Sequence, residues 1–379
     1  MRTINDTISR LSALRAVSPL GTIGSLGEDR LSDLTAFGSN PGALRGRFYV
    51  PESMDTPAAL VVVLHGCTQS AAAYDHGAGW SRLADECGFA LLFPEQQRAN
   101  NANLCFNWFD AGDTRRDSGE ALSIRQMIAA MVAEYAIDEA RIFVTGLSAG
   151  GAMTSVMLAT YPEVFAGGAI IAGLPYGTAA SIPEAFDRMR AHGGPPAAAL
   201  GALVTAASPH KGPWPKISVW HGDSDATVNP VNSARIVEQW RTAHGVAIEP
   251  SAVGGVDGHV RRVWRDADGE DVIEEYRIIG MGHGTPLRTS GPDGCGAAGP
   301  FMLEAGISST RRIAGVWGLA ETAAETGIER ASLPSPPGLP PQGTDMAGAR
   351  RGEEAQFRHA PSKVESIIED ALRAAGLMR

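Results

Sequence analysis

Short, uninterrupted apolar runs recur through the middle of this chain, and they limit its fold more than any other feature. The five clearest runs are ALVVVLHG (59–66), FALLFPE (89–95), RIFVTG (141–146), AIIAG (169–173) and ISVWHG (217–222). Runs of this length that end in Gly or Pro are typical of strands buried on both faces. The chain therefore predicts several central strands of one sheet.

Helical patterns lie between these runs. In Ser118–Tyr135, apolar side chains recur at three- and four-residue steps, at Ala121, Ile124, Ile128, Met131 and Tyr135. That spacing places them on one face of a helix. Strands that alternate with helices predict crossover connections and a mostly parallel, doubly wound α/β sheet. Later in the chain, residues 260–280 form two strand patterns around Asp-Gly, which predicts a hairpin that leads into the last strand.

The composition changes outside this region, and it suggests four segments. Residues 1–40 carry an amphipathic N-terminal segment, and 41–330 form the catalytic domain. Residues 331–361 are a Pro/Gly-rich linker, too poor in apolar residues to build a core. Residues 362–379 have apolar positions on one face and predict a C-terminal amphipathic helix, which could dock on the domain or form a homodimer. Within the domain, 174–216 predicts a lid-like excursion.

Charge and composition exclude several classes of function. The net charge is −10, from 32 basic and 42 acidic residues, which argues against a nucleic-acid partner. No apolar stretch is long enough for a membrane span. The four cysteines have no CxxC spacing, so no metal site is expected. Polar residues interrupt the N-terminus where a secretory signal would need an apolar segment, which favours a cytoplasmic location over a secreted or periplasmic one.

Ser148 lies in the sequence FVTGLSAGGAM, where a predicted strand meets a predicted helix. A tight strand-to-helix turn holds a serine hydroxyl clear of the backbone, and it crowds the residues two before and two after that serine. Gly146 and Gly150 occupy those two positions. The following helix directs N–H groups towards the serine. We therefore interpret Ser148 as a nucleophile rather than as part of an ordinary glycine-rich turn.

A nucleophilic serine needs a base and an acid, which in this type of fold follow it in the order acid, then histidine. His283 comes just after the last predicted strand, in GMGHG, and is the predicted base. The loop after ISVWHG offers two acids, Asp223 and Asp225. We choose Asp225, because an acid that reaches the histidine usually lies a few residues beyond the strand end. Asp223 remains the alternative.

An oxyanion hole requires two N–H donors. One prediction is the N–H of Ala149, directly after the nucleophile. The other is the N–H of Cys67 in LHGCTQS, the turn that follows an early strand. His65 and Gly66 would shape that turn. Nothing places Cys67 itself on a nucleophile turn, so its predicted role is through its backbone.

Seven motifs in order resemble the esterase/poly(3-hydroxybutyrate) depolymerase family, and together they span about residues 45–320. They are LHGCTQS, GFALLFPEQ, CFNWF, GLSAGGAM, YPEVFAGGAIIAGLPYG, HGDSDATV and GMGHG. The resemblance implies an α/β-hydrolase fold, hydrolysis of carboxylic esters and no cofactor. It supports Ser148, Asp225 and His283 as the catalytic triad.

The resemblance also implies further site residues. Cys67 and Cys105 would lie close together and could form a disulfide. His65, Trp108 and Tyr176 would bind the substrate, although Trp108 is equally compatible with a core position. The expected partner is an ester, and the first hypothesis is a serine esterase that cleaves 3-hydroxyalkanoate polymers or oligomers.

Three other functions remain open at this stage. Distant members of the family act on acetylated or feruloylated polysaccharides, so a polysaccharide or small-ester esterase is one alternative. A peptidase or acyltransferase on the same triad is another, because the fold does not determine the chemistry. A non-catalytic protein that binds polymer granules or partners is the alternative from a different class. The residues after 330 are too few for a separate polymer-binding domain, which favours soluble oligomers or an intracellular role.

Overall fold

The computed structural model describes residues 29–54 and 56–321. The predicted linker (331–361) and C-terminal helix (362–379) lie outside these residues, as does most of the predicted N-terminal segment. The homodimer contact predicted for the terminal helices therefore stays a prediction. No helix within the described residues is both long enough and apolar enough to span a membrane.

The described residues form one large sheet and a small second one. The strands are β1 (Ser32–Leu34), β2 (Arg45–Tyr49), β3 (Ala58–Leu64), β4 (Ala90–Glu95), β5 (Ile137–Leu147), β6 (Gly167–Ile171), β7 (Lys216–Gly222), β8 (Ala252–Val256), β9 (His259–Arg265), β10 (Asp271–Ile278), β11 (Thr285–Leu287) and β12 (Met302–Glu304). The ten-stranded sheet has the order β1-β2-β4-β3-β5-β6-β7-β10-β9-β8, and β11 pairs with β12. All five apolar runs that predicted strands lie in its central strands.

The six strands from β4 to β10 in this order are parallel, and the strands at both edges are antiparallel. The mostly parallel, doubly wound sheet predicted from the sequence is thus confirmed. The predicted hairpin is β9 and β10, and β10 then pairs with β7. Because the carboxyl ends of the parallel strands meet at one edge, the loops that follow β3, β5, β7 and β10 come together there.

Helices cover the sheet. They are α1 (Ala71–Ala78), α2 (Trp80–Cys87), α3 (Ala111–Thr114), α4 (Gly119–Glu134), α5 (Ala149–Thr160), α6 (Ile182–Met189), α7 (Ala197–Ala206), α8 (Val231–His244) and α9 (Ser309–Val316). Side chains of β3 alternate between two apolar cores: Leu60, Val62 and Leu64 face the core formed with α4 and α5. Ala59, Val61 and Val63 face the core formed with α1, α2 and α9. Burial on both faces explains why the strand sequence is apolar throughout.

The sheet begins earlier than the predicted domain boundary at residue 41. Strand β1 pairs antiparallel with β2, and the side chains of Leu31 and Leu34 are buried. The sheet therefore extends nine residues beyond the predicted boundary, from 41 to 32. The apolar pattern of the sequence does not indicate β1, because this strand has only three residues, of which two are exposed.

The excursion predicted for 174–216 contains two helices. Helix α7 packs against α8, where the backbone at Gly201 lies close to Thr242 and Leu200 O accepts a hydrogen bond from Gln239 Nε2 at 3.1 Å. Helix α6 lies nearer the strand ends, and its Ala185 packs beside Ala149. Only α6 therefore borders the site described below. The α7 half extends the core and is not a lid.

Candidate active site

Ser148 lies between the end of β5 and the start of α5, on a sharp backbone turn. Its φ is 58° and its ψ is −116°, a conformation that costs free energy in a residue with a side chain. The turn brings Gly146 against Gly150, and Gly150 against the carbonyl oxygens of Leu64 and His65. A Cβ on either glycine would collide with this backbone. This crowding explains why glycine occupies both positions, as the sequence analysis predicted.

The structure brings the three predicted triad residues into one chain of hydrogen bonds. His283 Nε2 lies 2.9 Å from Ser148 Oγ, and His283 Nδ1 lies 2.7 Å from Asp225 Oδ2. Asp225 follows β7, and His283 follows β10, so residues far apart in sequence meet at one sheet edge. The His283 side chain is 7% exposed and that of Asp225 is fully buried, which leaves Ser148 as the more accessible end.

Four donors surround the carboxylate of Asp225. Its Oδ1 accepts hydrogen bonds from the N–H groups of Thr227 and Val228, at 2.8 and 2.9 Å. Its Oδ2 lies 3.3 Å from His221 Nε2, in addition to its contact with His283. Burial raises the pKa of Asp225, but the hydrogen bonds from His221 and His283 outweigh this and hold the pKa below its usual range. The carboxylate is therefore ionised and able to orient His283.

The alternative acid, Asp223, has another role. Its Oδ1 accepts hydrogen bonds from Gly280 N at 2.8 Å and from Ser224 Oγ at 3.1 Å. Its Oδ2 lies 3.4 Å from Arg277 Nη2. Asp223 thus braces the loop that leads from β10 to His283, and it does not contact the histidine ring. Of the two acids left open by the sequence, Asp225 is the one that the structure places on His283.

Two backbone N–H groups, one directly after Ser148 and one in the turn after β3, have no acceptor within the described residues. Ala149 is the first residue of α5, where a backbone N–H has no intrahelical acceptor. The N–H of Cys67 donates no hydrogen bond to any residue of 29–54 or 56–321, whereas its neighbours Gly66 and Thr68 both do. The two predicted oxyanion donors are thus available to bind a negative oxygen.

A disulfide links Cys67 to Cys105, as the family resemblance implied. It joins the turn after β3 to the loop before α3, across a sequence separation of 38 residues. A second contact between the same segments is the hydrogen bond from Thr68 N to Asn103 O, at 2.7 Å. Two contacts with the loop before α3 therefore hold the backbone at Cys67.

The structure places His65 in the interior, which does not support its predicted contact with the substrate. The residue is 1% exposed. Its Nδ1–H donates to Gly66 O at 2.8 Å, and its Nε2 accepts a hydrogen bond from Gln96 N at 3.1 Å. Burial lowers the pKa of His65, so the ring is neutral with both nitrogens occupied. It braces the turn after β3.

Trp108 lies beside the nucleophile turn in a small apolar cluster. Its buried members are Trp108, Ala149, Ala152, Leu174, Ala185 and Val228, and we name this set the apolar wall. Half-buried Phe109 and Met189 pack against it. Trp108 is thus both packed in a core and adjacent to the site, which explains why the sequence could not separate the two interpretations.

Tyr176 packs against the main core. Its backbone N and O are bonded to Gln239 of α8, at 2.9 and 3.0 Å, and its ring packs against the core on the α8 side. Burial raises the pKa of its phenol. The predicted contact of Tyr176 with the substrate stays a prediction.

One residue of the site was not predicted as part of it. His221 contacts Asp225 Oδ2 and donates from Nε2 to Val228 O at 2.8 Å. The sequence contained a signal for this contact, because His221 lies four residues before Asp225, near the end of the strand that leads to it. A second feature, the ring of Phe301, meets the His283 ring edge to face at 6.0 Å. Nothing in the sequence indicates that contact.

Comparison with known proteins agrees with this geometry. A family model described as esterase PHB depolymerase matches residues 46–257. The chain is 45% identical over 316 residues to poly(3-hydroxyalkanoate) depolymerase C of Paucimonas lemoignei, which covers 83% of this chain and 76% of that protein. It is 33% identical over 263 residues to feruloyl esterase B of Neurospora crassa, covering 68% and 88% of the two chains.

A solved structure shows the same fold. The acetyl xylan esterase from Aspergillus awamori superposes with a TM-score of 0.64, at 22% identity. The match covers 76% of this chain and 99% of that one. At this identity the likeness concerns the fold alone, and it confirms the α/β-hydrolase architecture expected from the sequence.

Proposed function

Because the chain belongs to the esterase PHB depolymerase family and is a carboxylic-ester hydrolase, we propose that it cleaves esters of 3-hydroxyalkanoic acids through an acyl-enzyme on Ser148. The observation that carries the mechanism is the continuous hydrogen-bond chain from Ser148 Oγ through His283 to Asp225. Such a chain lets the histidine take the serine proton while the carboxylate stabilises the charged ring.

The first half of the proposed reaction forms the acyl-enzyme. Ser148 Oγ attacks the ester carbonyl carbon while its proton passes to His283 Nε2. The carbonyl oxygen becomes negative and accepts hydrogen bonds from the N–H groups of Ala149 and Cys67. When the carbon–oxygen bond to the alcohol breaks, His283 returns the proton to the leaving alkoxide. Asp225 holds Nδ1–H throughout, so that Nε2 faces the serine.

The second half releases the acid. A water molecule attacks the acyl carbon, and His283 Nε2 takes one of its protons. The same two N–H groups bind the oxyanion again. Collapse of this intermediate breaks the bond to Ser148 Oγ, which takes the proton back from His283. The products are a carboxylic acid and the free enzyme, and no metal or cofactor is needed for these steps.

The apolar wall supports the choice of substrate. It contains Trp108 and Ala149, one of the proposed oxyanion donors, and the side chains of Phe109 and Met189 pack against it. Such a surface fits short aliphatic acyl groups better than sugar hydroxyls, which need polar partners. The similarity to a poly(3-hydroxyalkanoate) depolymerase points the same way.

The test compares the wild-type protein with Ser148→Ala on three substrates: p-nitrophenyl butyrate, a soluble 3-hydroxybutyrate oligomer and amorphous polymer. We expect serine-dependent release of 3-hydroxybutyrate from the oligomer, with the variant reduced at least about 1,000-fold. Cleavage of the nitrophenyl ester alone would contradict the substrate and favour a polysaccharide or small-ester esterase. Full activity in Ser148→Ala would contradict the mechanism. A lack of any serine-dependent turnover would favour the binding-protein alternative.

The disulfide bears on where the protein works. Structural disulfides persist in oxidising compartments and are rare in the cytosol. The Cys67–Cys105 bond therefore supports an oxidising location over the cytoplasmic one expected from the N-terminal sequence. Alkylation of the denatured, unreduced protein from its own host tests this. Two modified cysteines, Cys87 and Cys295, would support the proposal, and four would contradict it.

A further inference from the structure

A buried carboxylate lies behind the loop that carries Trp108. Glu120 is 0% exposed and belongs to the first turn of α4. Its Oε1 accepts hydrogen bonds from Gln96 Nε2 at 2.6 Å, Asn107 Nδ2 at 2.9 Å and Asn100 Nδ2 at 3.3 Å. Its Oε2 accepts one from Asn107 N at 2.9 Å. Every one of these partners is an N–H donor, so both carboxyl oxygens of Glu120 act as acceptors.

The donors come from both ends of one loop. We name residues 96–108 the cleft loop: it starts at Gln96, directly after β4, and ends at Trp108 of the apolar wall. Gln96 and Asn107 near its two ends are both tied to Glu120. A single buried carboxyl group on α4 therefore anchors both ends of the cleft loop.

The cleft loop in turn holds the turn that carries Cys67. Cys105 is bonded to Cys67, and Asn103 O accepts a hydrogen bond from Thr68 N at 2.7 Å. Gln96 links three parts of the structure. Its N–H donates to His65 Nε2, and its side-chain Nε2 donates to both Glu120 and Cys105 O, the latter at 3.0 Å. Gln96 therefore connects Glu120 to the turn that carries Cys67, through one contact with Glu120 and one with His65.

Burial at this position disfavours the charged form of Glu120. Burial and the charge of Asp113 raise the pKa of Glu120 to about 8, and the N–H donors partly offset this. Asp113 faces the same cluster, because its Oδ1 accepts from Glu120 N and its Oδ2 from Asn107 Nδ2, both at 3.1 Å. Taking an acid out of water costs free energy, which only well-formed hydrogen bonds to its oxygens offset.

We propose that Glu120 is a positioning residue for the oxyanion hole: through Gln96, Asn107 and the cleft loop, it sets the position of the Cys67 N–H relative to Ser148. This rests on the function proposed above. Oxyanion donors act only when they are held close to the position that the negative oxygen will occupy. Loss of the anchor is expected to weaken binding of the tetrahedral intermediate and to leave binding of the ester unchanged.

The test uses Glu120→Gln in the full-length protein, with Glu274→Gln as the matched control. Glu274 is also a buried acid, hydrogen-bonded to Arg261 and Tyr276, but it lies on β10 and belongs to neither the cleft loop nor the triad. Active sites are counted with a fluorophosphonate, and kcat and KM are measured on p-nitrophenyl butyrate. The inhibition constant of a trifluoromethyl ketone is also measured, because its adduct with serine places an oxyanion in the hole.

For Glu120→Gln we expect kcat per titrated site to fall about 10- to 100-fold, less than for complete removal of a donor, with KM within about twofold. The inhibition constant should rise by a similar factor. Glu274→Gln should lower stability while kcat and the inhibition constant stay within about twofold of wild type. A purely structural role of Glu120 would lower stability alone, and unchanged kcat and inhibition per site would overturn the proposal.

A second variant covers the case in which Glu120→Gln does not fold. Asn107→Ala removes the loop side of the anchor at a half-buried position, and it should show the same loss of kcat and of inhibition. Wild-type values in Asn107→Ala would also overturn the proposal. Ser148→Ala in the same assay tests the proposed function by itself: its activity shows whether the triad operates, independently of the result at Glu120.

Discussion

At the scale of single residues, one carboxylate was chosen between two candidates separated by a single residue. The sequence could place an acid in the loop after β7, because that loop lies at the edge where Ser148 and His283 lie. It could not determine which side chain points inwards. The structure does so: Asp225 is fully buried against two histidines, whereas Asp223 faces Arg277 and braces the next loop.

The first prediction concerns this pair. Asp225→Asn should lower kcat about 1,000- to 10,000-fold, because an amide donor at Oδ2 would favour the tautomer of His283 that cannot accept the serine proton. Asp223→Asn, two residues away, should lower kcat less than about tenfold, because Asp223 touches only the bracing contacts. Steady-state kinetics on p-nitrophenyl butyrate measures both. Equal losses in the two variants would contradict the assignment of the acid.

The second prediction concerns acid stability. Because the folded protein holds the pKa of Asp225 below its ordinary value of 3.8, the unfolded chain binds more protons in acid. The stabilisation from Asp225 is therefore fully present above about pH 5 and is lost as the pH falls through and below the ordinary value. Urea unfolding of wild type and Asp225→Asn should give a difference in free energy that shrinks by at least about 1 kcal/mol between pH 5 and pH 3. A difference that does not change with pH would contradict the lowered pKa.

At the scale of structural elements, the strand-to-helix turn at Ser148 was predictable in full. Its three parts are contiguous in the sequence, so the motif contains its own geometry. The loop contacts around it were not predictable. The cleft loop meets the turn after β3 across 38 residues, and neither segment shows that the other lies beside it. The family resemblance alone indicated that Cys67 and Cys105 are partners.

The third prediction belongs to this turn. In Gly150→Ala the added Cβ would strike the carbonyl oxygens of Leu64 and His65, which are backbone atoms and cannot move aside cheaply. We expect a loss of stability of about 3 kcal/mol or more and a fall in kcat of at least about 100-fold. Thermal unfolding and the esterase assay measure these two effects.

Gly282→Ala is the matched control for the turn. Gly282 precedes His283, but a Cβ there would meet nothing within 4 Å. We expect a change in stability below about 1 kcal/mol. If both alanine variants behave alike, close backbone approach is not the reason for the glycine at 150.

At the scale of the whole molecule, general rules predict the order of the strands. They do not predict where the sheet ends. The parallel strands and the final hairpin could be read from apolar runs and one turn signal. Strand β1 has only three residues and becomes a strand because β2 offers it an edge. Its contribution comes from tertiary contacts: Leu31 and Leu34 are buried, and Arg47 pairs with Asp29 and Asp33 at 2.9 and 3.1 Å.

The fourth prediction tests whether β1 contributes to the stability of the domain. A truncated chain of residues 29–321 should fold and keep its activity on p-nitrophenyl butyrate, whereas residues 41–321 should be less stable by roughly 3 kcal/mol or more. The loss comes from exposing two leucines, about 1.5–3 kcal/mol each, and from leaving the buried guanidinium of Arg47 unpaired. Urea unfolding of the two truncated chains compares them. Equal stabilities would show that the N-terminal strand is dispensable.

The sequence by itself determined the alternation of strands and helices, the turn at Ser148 and the position of His283. Each of these depends on neighbouring residues: on runs of apolar side chains, on two glycines around a serine, or on a histidine at a strand end. Contacts between distant segments were decided only by the tertiary structure. They include the choice of Asp225, the brace of His65 against Gln96, and the tie from Glu120 to the cleft loop. The physical reason is that a hydrogen bond or a buried contact depends on where two backbones meet, and no local pattern in the chain records that distance.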